Sequence, residues 1–160
     1  MHSKIKDILH SSQTPYTEIR HDSFHTPIRS PFDFAQALGT EVDQITKTVF
    51  LRAKTKEKYI MAICSSNQKL DLPKLALLAQ VKKLEFADQQ ELADQIGYPT
   101  LGVTAIGIPA HIEVYMDKNL LTFPSILTGA GEVAVELKMN PNDLASLAQA
   151  KIGEITIALS

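Results

Sequence analysis

The stretch ITKTVFLRAKTKEKYIMAIC, Ile45 to Cys64, holds two apolar runs, TVFLRA and KYIMAIC, separated by the short polar connection KTKE. That pattern predicts an antiparallel hairpin even without an Asn-Gly turn. At its front Lys47 stands between Thr46 and Thr48, in a run that otherwise reads as a buried strand. Stripping water from an ammonium is expensive unless it is paired or stays hydrated, so Lys47 either escapes to solvent or faces a polar cavity.

Outward from the hairpin, strand runs come in adjacent pairs and helices do not alternate with them one for one. This argues against a doubly wound parallel sheet and for an α+β domain with a curved, mostly antiparallel sheet. A first helix is predicted from Ser3 to about Ser11, capped by Ser3, with Ile5, Ile8 and Leu9 on one face, followed by a strand in PYTEIRH. In HTPIRSPFDFAQALGT, Ser30 suits an N-cap, Pro31 the first helical position, Asp33 a return bond to the cap and Gly39 the stop. Asp71 caps a helix with Leu72, Leu75 and Leu78 inward, KKLEFA is a short strand, and Asp88 with Glu91 forms a capping box ahead of Leu92, Ile96 and Gly97. YPTLGVTAIGIP, Tyr98 to Pro109, has no helical period and is predicted as an ordered loop. Strands follow in HIEVYMD and EVAVELKM, with Val133, Val135 and Leu137 inward, then a helix capped by Asn140, then a strand in EITIAL.

The 160 residues suit a single domain, residues 1–160, and the 44% apolar and 21% charged composition describes a globular chain rather than a disordered one. No window approaches the ~18 apolar residues that span a bilayer, and the polar start MHSKIKDILHSS lacks a signal-peptide pattern, so a cytoplasmic protein without membrane partners is expected. A net charge of −2 gives no general attraction to DNA or other polyanions; such a partner must meet a local patch. The single cysteine, Cys64, lies in an apolar run and reads as a small buried hydrophobe or, alternatively, a thiol for which nothing local supplies a base.

His21 and His25 are four apart, but Ser23, Thr26 and Pro27 argue against the helix that would put them on one face, and no carboxylate or Cys cluster completes a metal site. No metal or cofactor is therefore expected. His25 reads as a pocket-lining donor or a solvated loop residue. TGAGE, Thr128 to Glu132, is either a tight connection or a place where side-chain-free Gly129 and Gly131 let backbone amides approach a ligand oxygen. Arg52, Lys54, Lys56 and Lys58 recur at period two around the hairpin turn, as a solvated tip or as contacts for phosphates.

Taken in order, HTPIRSPFDFAQALG, QITKTVFL, KLDLPKLALLAQVKKLEFA, GYPTLGVTAIG, LTGAGEVAVEL and NPNDLASL resemble the YbaK/prolyl-tRNA-synthetase-associated family across nearly the whole chain. The resemblance implies a curved mixed sheet close to a barrel, with a pocket beside the lysine strand. It implies an aminoacyl-tRNA deacylase that hydrolyses the ester at the 3′ end of a mischarged tRNA, releasing a small amino acid, with a synthetase as a further partner. Lys47 matches the family's active-site lysine. Gly129, Ala130 and Gly131 would add amide donors near the ester, and the substrate's 2′-hydroxyl would assist. Gly102 matches the pocket rim; Thr48 lies beside the lysine; and His25, Pro27 and Ile28 match the segment facing the amino-acid side chain. Where the family often has Ser-Pro followed by an apolar residue and Gly, this chain has TAIG, Thr104 to Gly107, without the proline. A noncatalytic module that binds a tRNA end, a synthetase or a small ligand is the alternative of a different class.

Overall fold

The computed structural model describes residues 1–157. Ten strands are formed among the described residues: β1 (Thr17–Arg20), β2 (Thr46–Ala53), β3 (Tyr59–Ser65), β4 (Lys69–Leu70), β5 (Leu84–Phe86), β6 (Glu113–Asp117), β7 (Ile126–Gly129), β8 (Val135–Met139), β9 (Lys151–Gly153) and β10 (Thr156–Ile157). Five α-helices accompany them: α1 (Ser3–Ser11), α2 (Pro31–Leu38), α3 (Leu72–Ala79), α4 (Gln89–Gln95) and α5 (Pro141–Ala148). The fold is a mixed α+β arrangement. The end of the predicted EITIAL strand, residues 158–159, lies outside the described residues.

The hairpin forms as read: β2 and β3 pair antiparallel from Thr46–Ser65 to Arg52–Tyr59. They sit at the centre of a five-stranded sheet ordered β5-β2-β3-β6-β9. β6 runs parallel to β3, and β9 parallel to β6, so this sheet is mixed, with its antiparallel pairings on the β5-β2-β3 side. The long connection through α3, β5 and α4 allows this, because parallel neighbours need a crossover where a hairpin suffices for antiparallel ones. A second sheet, β1-β8-β7, is antiparallel, and β10 pairs with β4. Among the described residues hydrogen bonding runs in these three sheets, and the isolated parallel bridge Ile45–Leu127 joins the first to the second.

Phe50, Met61, Ile63, Val114 and Met116 from the large sheet meet Ile126, Leu137 and Met139 from the second sheet, and α1 closes this core with Ile5 and Leu9. The opposite face of the large sheet, Leu51, Ile60, Ala62 and Cys64, packs on Leu75, Ala76 and Ala79 of α3. That inward face differs from the Leu72-Leu75-Leu78 stripe: Leu78 is 45% exposed, because the small residues Ala76 and Ala79 let the helix lie close to the sheet. Val133 is also exposed, since β8 begins only at Val135 and its inward set is Val135, Leu137 and Met139. Ser3 is the first residue of α1 rather than its cap; His2 takes that place, its ring nitrogen accepting from the Lys4 N–H. Ser30 caps α2 by accepting from Asp33 N–H, while the Asp33 carboxylate returns to the N–H of Arg29, one residue before the cap.

Asp71 ties two layers together. Its side chain accepts from Lys74 N–H at 3.1 Å, and its own N–H donates to the Ile155 carbonyl at 2.8 Å. Asp71→Ala is expected to lower stability by about 0.5–2 kcal/mol, the usual range for a lost cap, whereas Asp71→Asn should lose only a small part of that. Urea denaturation midpoints of the three proteins check it.

Candidate active site

β2 is flanked on its outer edge by β5 only along Leu51, Arg52 and Ala53. At its beginning the same edge meets β7, through the Ile45–Leu127 bridge and a hydrogen bond from Thr46 Oγ1 to the Leu127 carbonyl at 2.7 Å. Between these contacts a gap is left. Antiparallel ladders alternate which residues point their N–H and C=O groups toward a given partner. The bonds Ser66 N–H to Ile45 carbonyl and Ala53 N–H to Lys58 carbonyl set the odd-numbered residues of β2 toward β3, and the Ala87 N–H bond to the Phe50 carbonyl sets the even-numbered ones toward the outer edge. The backbone of Thr48 therefore faces the gap.

A cleft of about 490 Å³ opens there, lined by Lys47, Thr48, Ile28, Phe34, Gly129 and Glu136 among others. A smaller apolar groove of about 330 Å³, walled by Val49, Leu70, Leu72, Pro73 and Phe86, shares Lys47 with it. Lys47 is half-buried, and no carboxylate lies within 4.0 Å of its ammonium among the described residues. Lys47 thus borders the cleft and the groove without a structural ion pair. Cys64, directly across the ladder from Lys47, is buried, and burial pushes its thiol up to about 11 against the pull of the Lys47 charge, so near neutral pH it is a protonated packing group.

Of the residues expected in the site, Lys47, Thr48, Ile28 and Gly129 line the cleft. His25 and Pro27 are exposed and outside it. The histidine that reaches the cleft is His21, held by its N–H bond to the Ala134 carbonyl at 2.9 Å. Ala130 is fully buried and its carbonyl accepts from His2 N–H. The N–H of Gly131 donates to the Gly102 carbonyl at 2.9 Å, so this amide is engaged between two loops and is not free to meet an ester. Gly102 is buried beneath the rim, and its neighbours Thr100, Leu101 and Val103 supply the rim itself.

The glycines have a packing reason. A Cβ built on Gly129 would lie 2.0 Å from the Val103 carbonyl oxygen, and one on Gly102 would lie 2.8 Å from the backbone of Glu132. Two main chains therefore touch where the Tyr98–Pro109 loop crosses the turn after β7. The proline missing from TAIG is compensated in this loop: Thr104 Oγ1 accepts from Ile106 N–H at 3.2 Å, and the Tyr98 hydroxyl donates to the Ile106 carbonyl at 2.8 Å, both buried.

The basic cluster divides. Arg52 is ion-paired with Glu91 and, at 3.2 Å, with Glu85. Lys58 pairs with Glu113 at 3.1 Å and donates to the Ala79 carbonyl. Those two cations are neutralised within the fold. Lys54 and Lys56 remain exposed, and the bond from Lys54 N–H to the Lys83 carbonyl brings exposed Lys82 and Lys83 beside them. Sequence reasoning missed His21 and Glu136, whose side chains join inside the cleft with His21 Nε2 2.8 Å from Glu136 Oε2. Among the described residues no group of three or more His, Cys, Asp or Glu is placed to hold a metal ion, and no helix is long and apolar enough to cross a membrane.

Comparison with known proteins defines the class. Residues 25–147 match the aminoacyl-tRNA editing domain, and the chain belongs to that family. It is 30% identical over 122 residues to EbsC of Enterococcus faecalis, named as a Cys-tRNA(Pro)/Cys-tRNA(Cys) deacylase, covering 76% of this chain and 74% of that one. It is 26% identical over 140 residues to the prolyl-tRNA editing protein ProX of Acetoanaerobium sticklandii, covering 84% and 82%. A solved structure described as a trans-editing enzyme for prolyl tRNA synthetase superposes with a TM-score of 0.79 at 22% identity, covering 99% of each chain, which shows the shared fold.

Gly129→Ala should force the Val103 carbonyl off the strand. A lowered melting temperature together with abolished deacylation is the expected result, measured by circular dichroism and an ester-release assay. A full-stability, full-activity variant would mean that the loop lifts at no cost.

Proposed function

We propose that this chain is an aminoacyl-tRNA deacylase acting in trans, with the cleft at the open edge of β2 holding the aminoacyl ester of a mischarged tRNA. The observation that carries the reading is Lys47, a half-buried ammonium without an ion-pair partner among the described residues, in a cleft of amino-acid size within an editing-domain fold. The family's near-barrel curvature belongs to the same reading and is supported by the Ile45–Leu127 bridge between sheets.

An aminoacyl ester is already activated, so its hydrolysis needs a held ester, a water in line and donors aimed at the developing oxyanion. Lys47 supplies a compact positive charge in a site drier than bulk water, where it acts more strongly than in solution. The Thr48 amide, facing the same gap, takes the donor role expected of Gly131. Attack on the carbonyl carbon by water, with the ribose 2′-hydroxyl assisting, gives a tetrahedral oxyanion. Its collapse breaks the bond to the ribose oxygen, which takes a proton and leaves as free tRNA. Lys47, shared with the apolar groove that Phe86 flanks, places the terminal adenosine on one side and the amino acid on the other. Ile28 and Phe34 restrict the acyl pocket to a small side chain. A synthetase that delivers the mischarged tRNA is the partner this reading calls for.

Lys47→Ala should keep the fold and lose roughly 10²–10³ in kcat, the scale of one oxyanion contact, and Lys47→Arg should recover little because a planar fork cannot occupy the ammonium's position. A panel of mischarged tRNAs followed for ester loss tests this; near-normal turnover by folded Lys47→Ala would remove Lys47 from the chemistry.

Phosphates of the tRNA are assigned to the hairpin tip. Lys54 lies seven residues along the chain from Lys47, roughly 23 Å at strand rise, so it would meet the stem rather than the terminal adenosine. Replacing Lys54 and Lys56 by Gln should raise the half-saturating tRNA concentration and flatten its salt dependence, the slope falling by roughly 0.7–0.9 for each phosphate no longer neutralised. Turnover of a minimal aminoacyl-adenosine should not change, and a wild-type salt slope would place the tRNA elsewhere.

A further inference from the structure

The cleft holds a second charged group whose position the hydrolysis just described does not require. Strand register sets Glu136 between Ile19 of β1 and Gly129 of β7, so its carboxylate stands beside a position with no side chain. The Val103 carbonyl oxygen reaches the same place, lying 2.0 Å from where a Gly129 Cβ would be. Two acceptors therefore converge at Gly129.

Glu136 is held from behind. His21 Nε2 is 2.8 Å from Glu136 Oε2, the imidazole lies against Phe34 with ring centroids 4.7 Å apart, and the His21 backbone is bonded to Ala134. His21 is the only hydrogen-bond partner of the Glu136 side chain among the described residues, which leaves Oε1 without a protein donor in the cleft. A half-buried carboxylate with one oxygen bonded and the other open, next to a main-chain carbonyl, is complementary to a group rich in N–H donors. It repels an oxyanion or a phosphate. This is the reverse of the Lys47 end of the same cleft, which suits the ester oxygen.

We propose that Glu136, positioned by His21 over Gly129, receives the α-ammonium of the aminoacyl group, and that a free α-amine is a requirement of this site. The proposal rests on the deacylase reading and adds its specificity: amino acids joined to tRNA with an unblocked amine are hydrolysed, while N-acylated and peptidyl esters are left intact. His21 acts through Glu136 and is a positioning residue.

The probe is a pair of nearly isosteric esters on the same tRNA, alanyl and lactyl, in which a hydroxyl replaces the ammonium; each enzymatic rate is divided by that ester's own hydrolysis in buffer. Wild-type protein is expected to prefer the alanyl ester in kcat/KM. Glu136→Gln should lower the alanyl value roughly 10- to 100-fold, as for loss of a hydrogen bond to a charged group, and change the lactyl value by less than about threefold. His21→Ala should narrow the alanyl-to-lactyl ratio, and His21→Gln, which keeps a donor, should restore part of it. Equal losses on both esters in a folded Glu136→Gln protein, or none on the alanyl ester, overturn the assignment. Should the variant not fold, the wild-type ratio decides alone, and a corrected preference below about threefold overturns it. Wild-type activity on both esters without preference sinks this inference and leaves the deacylase reading standing; inactivity on every aminoacyl ester sinks both.

Discussion

The site depends on the contact between two stretches of main chain, Gly102–Val103 and Gly129–Glu132. Only residues without a Cβ allow it: a side chain at 129 would meet the Val103 carbonyl oxygen at 2.0 Å, and the bond from Gly131 N–H to the Gly102 carbonyl holds the crossing in place. This crossing seats the Tyr98–Pro109 loop on the turn that leaves β7. It sets the distance between the rim residues Thr100, Leu101 and Val103 and the strand that carries Lys47. Because both partners are backbone, the contact is short and stiff. The buried Thr104 and Tyr98 bonds then fix the rest of the loop at 3.2 and 2.8 Å.

The electrostatics sort themselves by partner rather than by sequence proximity. Arg52 and Lys58 read as members of one basic cluster with Lys54 and Lys56, yet Glu85, Glu91 and Glu113 arrive from distant strands and a helix to neutralise them. Burial pushes Glu91 up, but the Asp88 N–H, the Tyr59 hydroxyl and Arg52 outweigh it and hold the carboxyl below its ordinary value. Glu136 differs: burial raises it, and the His21 bond opposes that without reversing it. A carboxylate left in that condition is under-solvated and under-partnered, which is the state expected of a group waiting for a cation.

Much of the fold was legible because its signals are local. The Ser30, Asp71, Asp88 and Asn140 caps, the Pro31 and Pro141 helix starts and the β2–β3 hairpin all follow from neighbours within a few residues. Lys47 was legible as an anomaly, a cation in an apolar run, and the ordered motifs gave it a family. What escaped is relational. Nothing near Val135 says that β1 and β7 flank β8, so Glu136 looks like any outward residue between two inward ones. Nothing near TGAGE says that the Gly131 amide is bonded to a loop that lies well before it in the chain. His25 sits beside the right segment, but the short 3-10 turn at His21–Ser23 carries His21 into the cleft and leaves His25 outside.

The arrangement also explains how few groups such a cleft needs. An ester of an amino acid presents a cationic end and an oxygen end separated by one carbon, and the cleft offers an anion at Glu136 and a cation at Lys47. A ligand with both ends correct is oriented by two opposed charges before any side-chain contact is made. Under the proposed reading, discrimination among small acyl groups falls to Ile28 and Phe34, which line the cleft and where one methylene is worth only about 1–3 kcal/mol. In that proposal charge placement defines the reaction, whereas apolar contact only grades its substrates. A cleft built this way therefore distinguishes classes of ester sharply and neighbouring amino acids weakly, so that choosing among small amino acids falls partly to whatever recognises the rest of the tRNA.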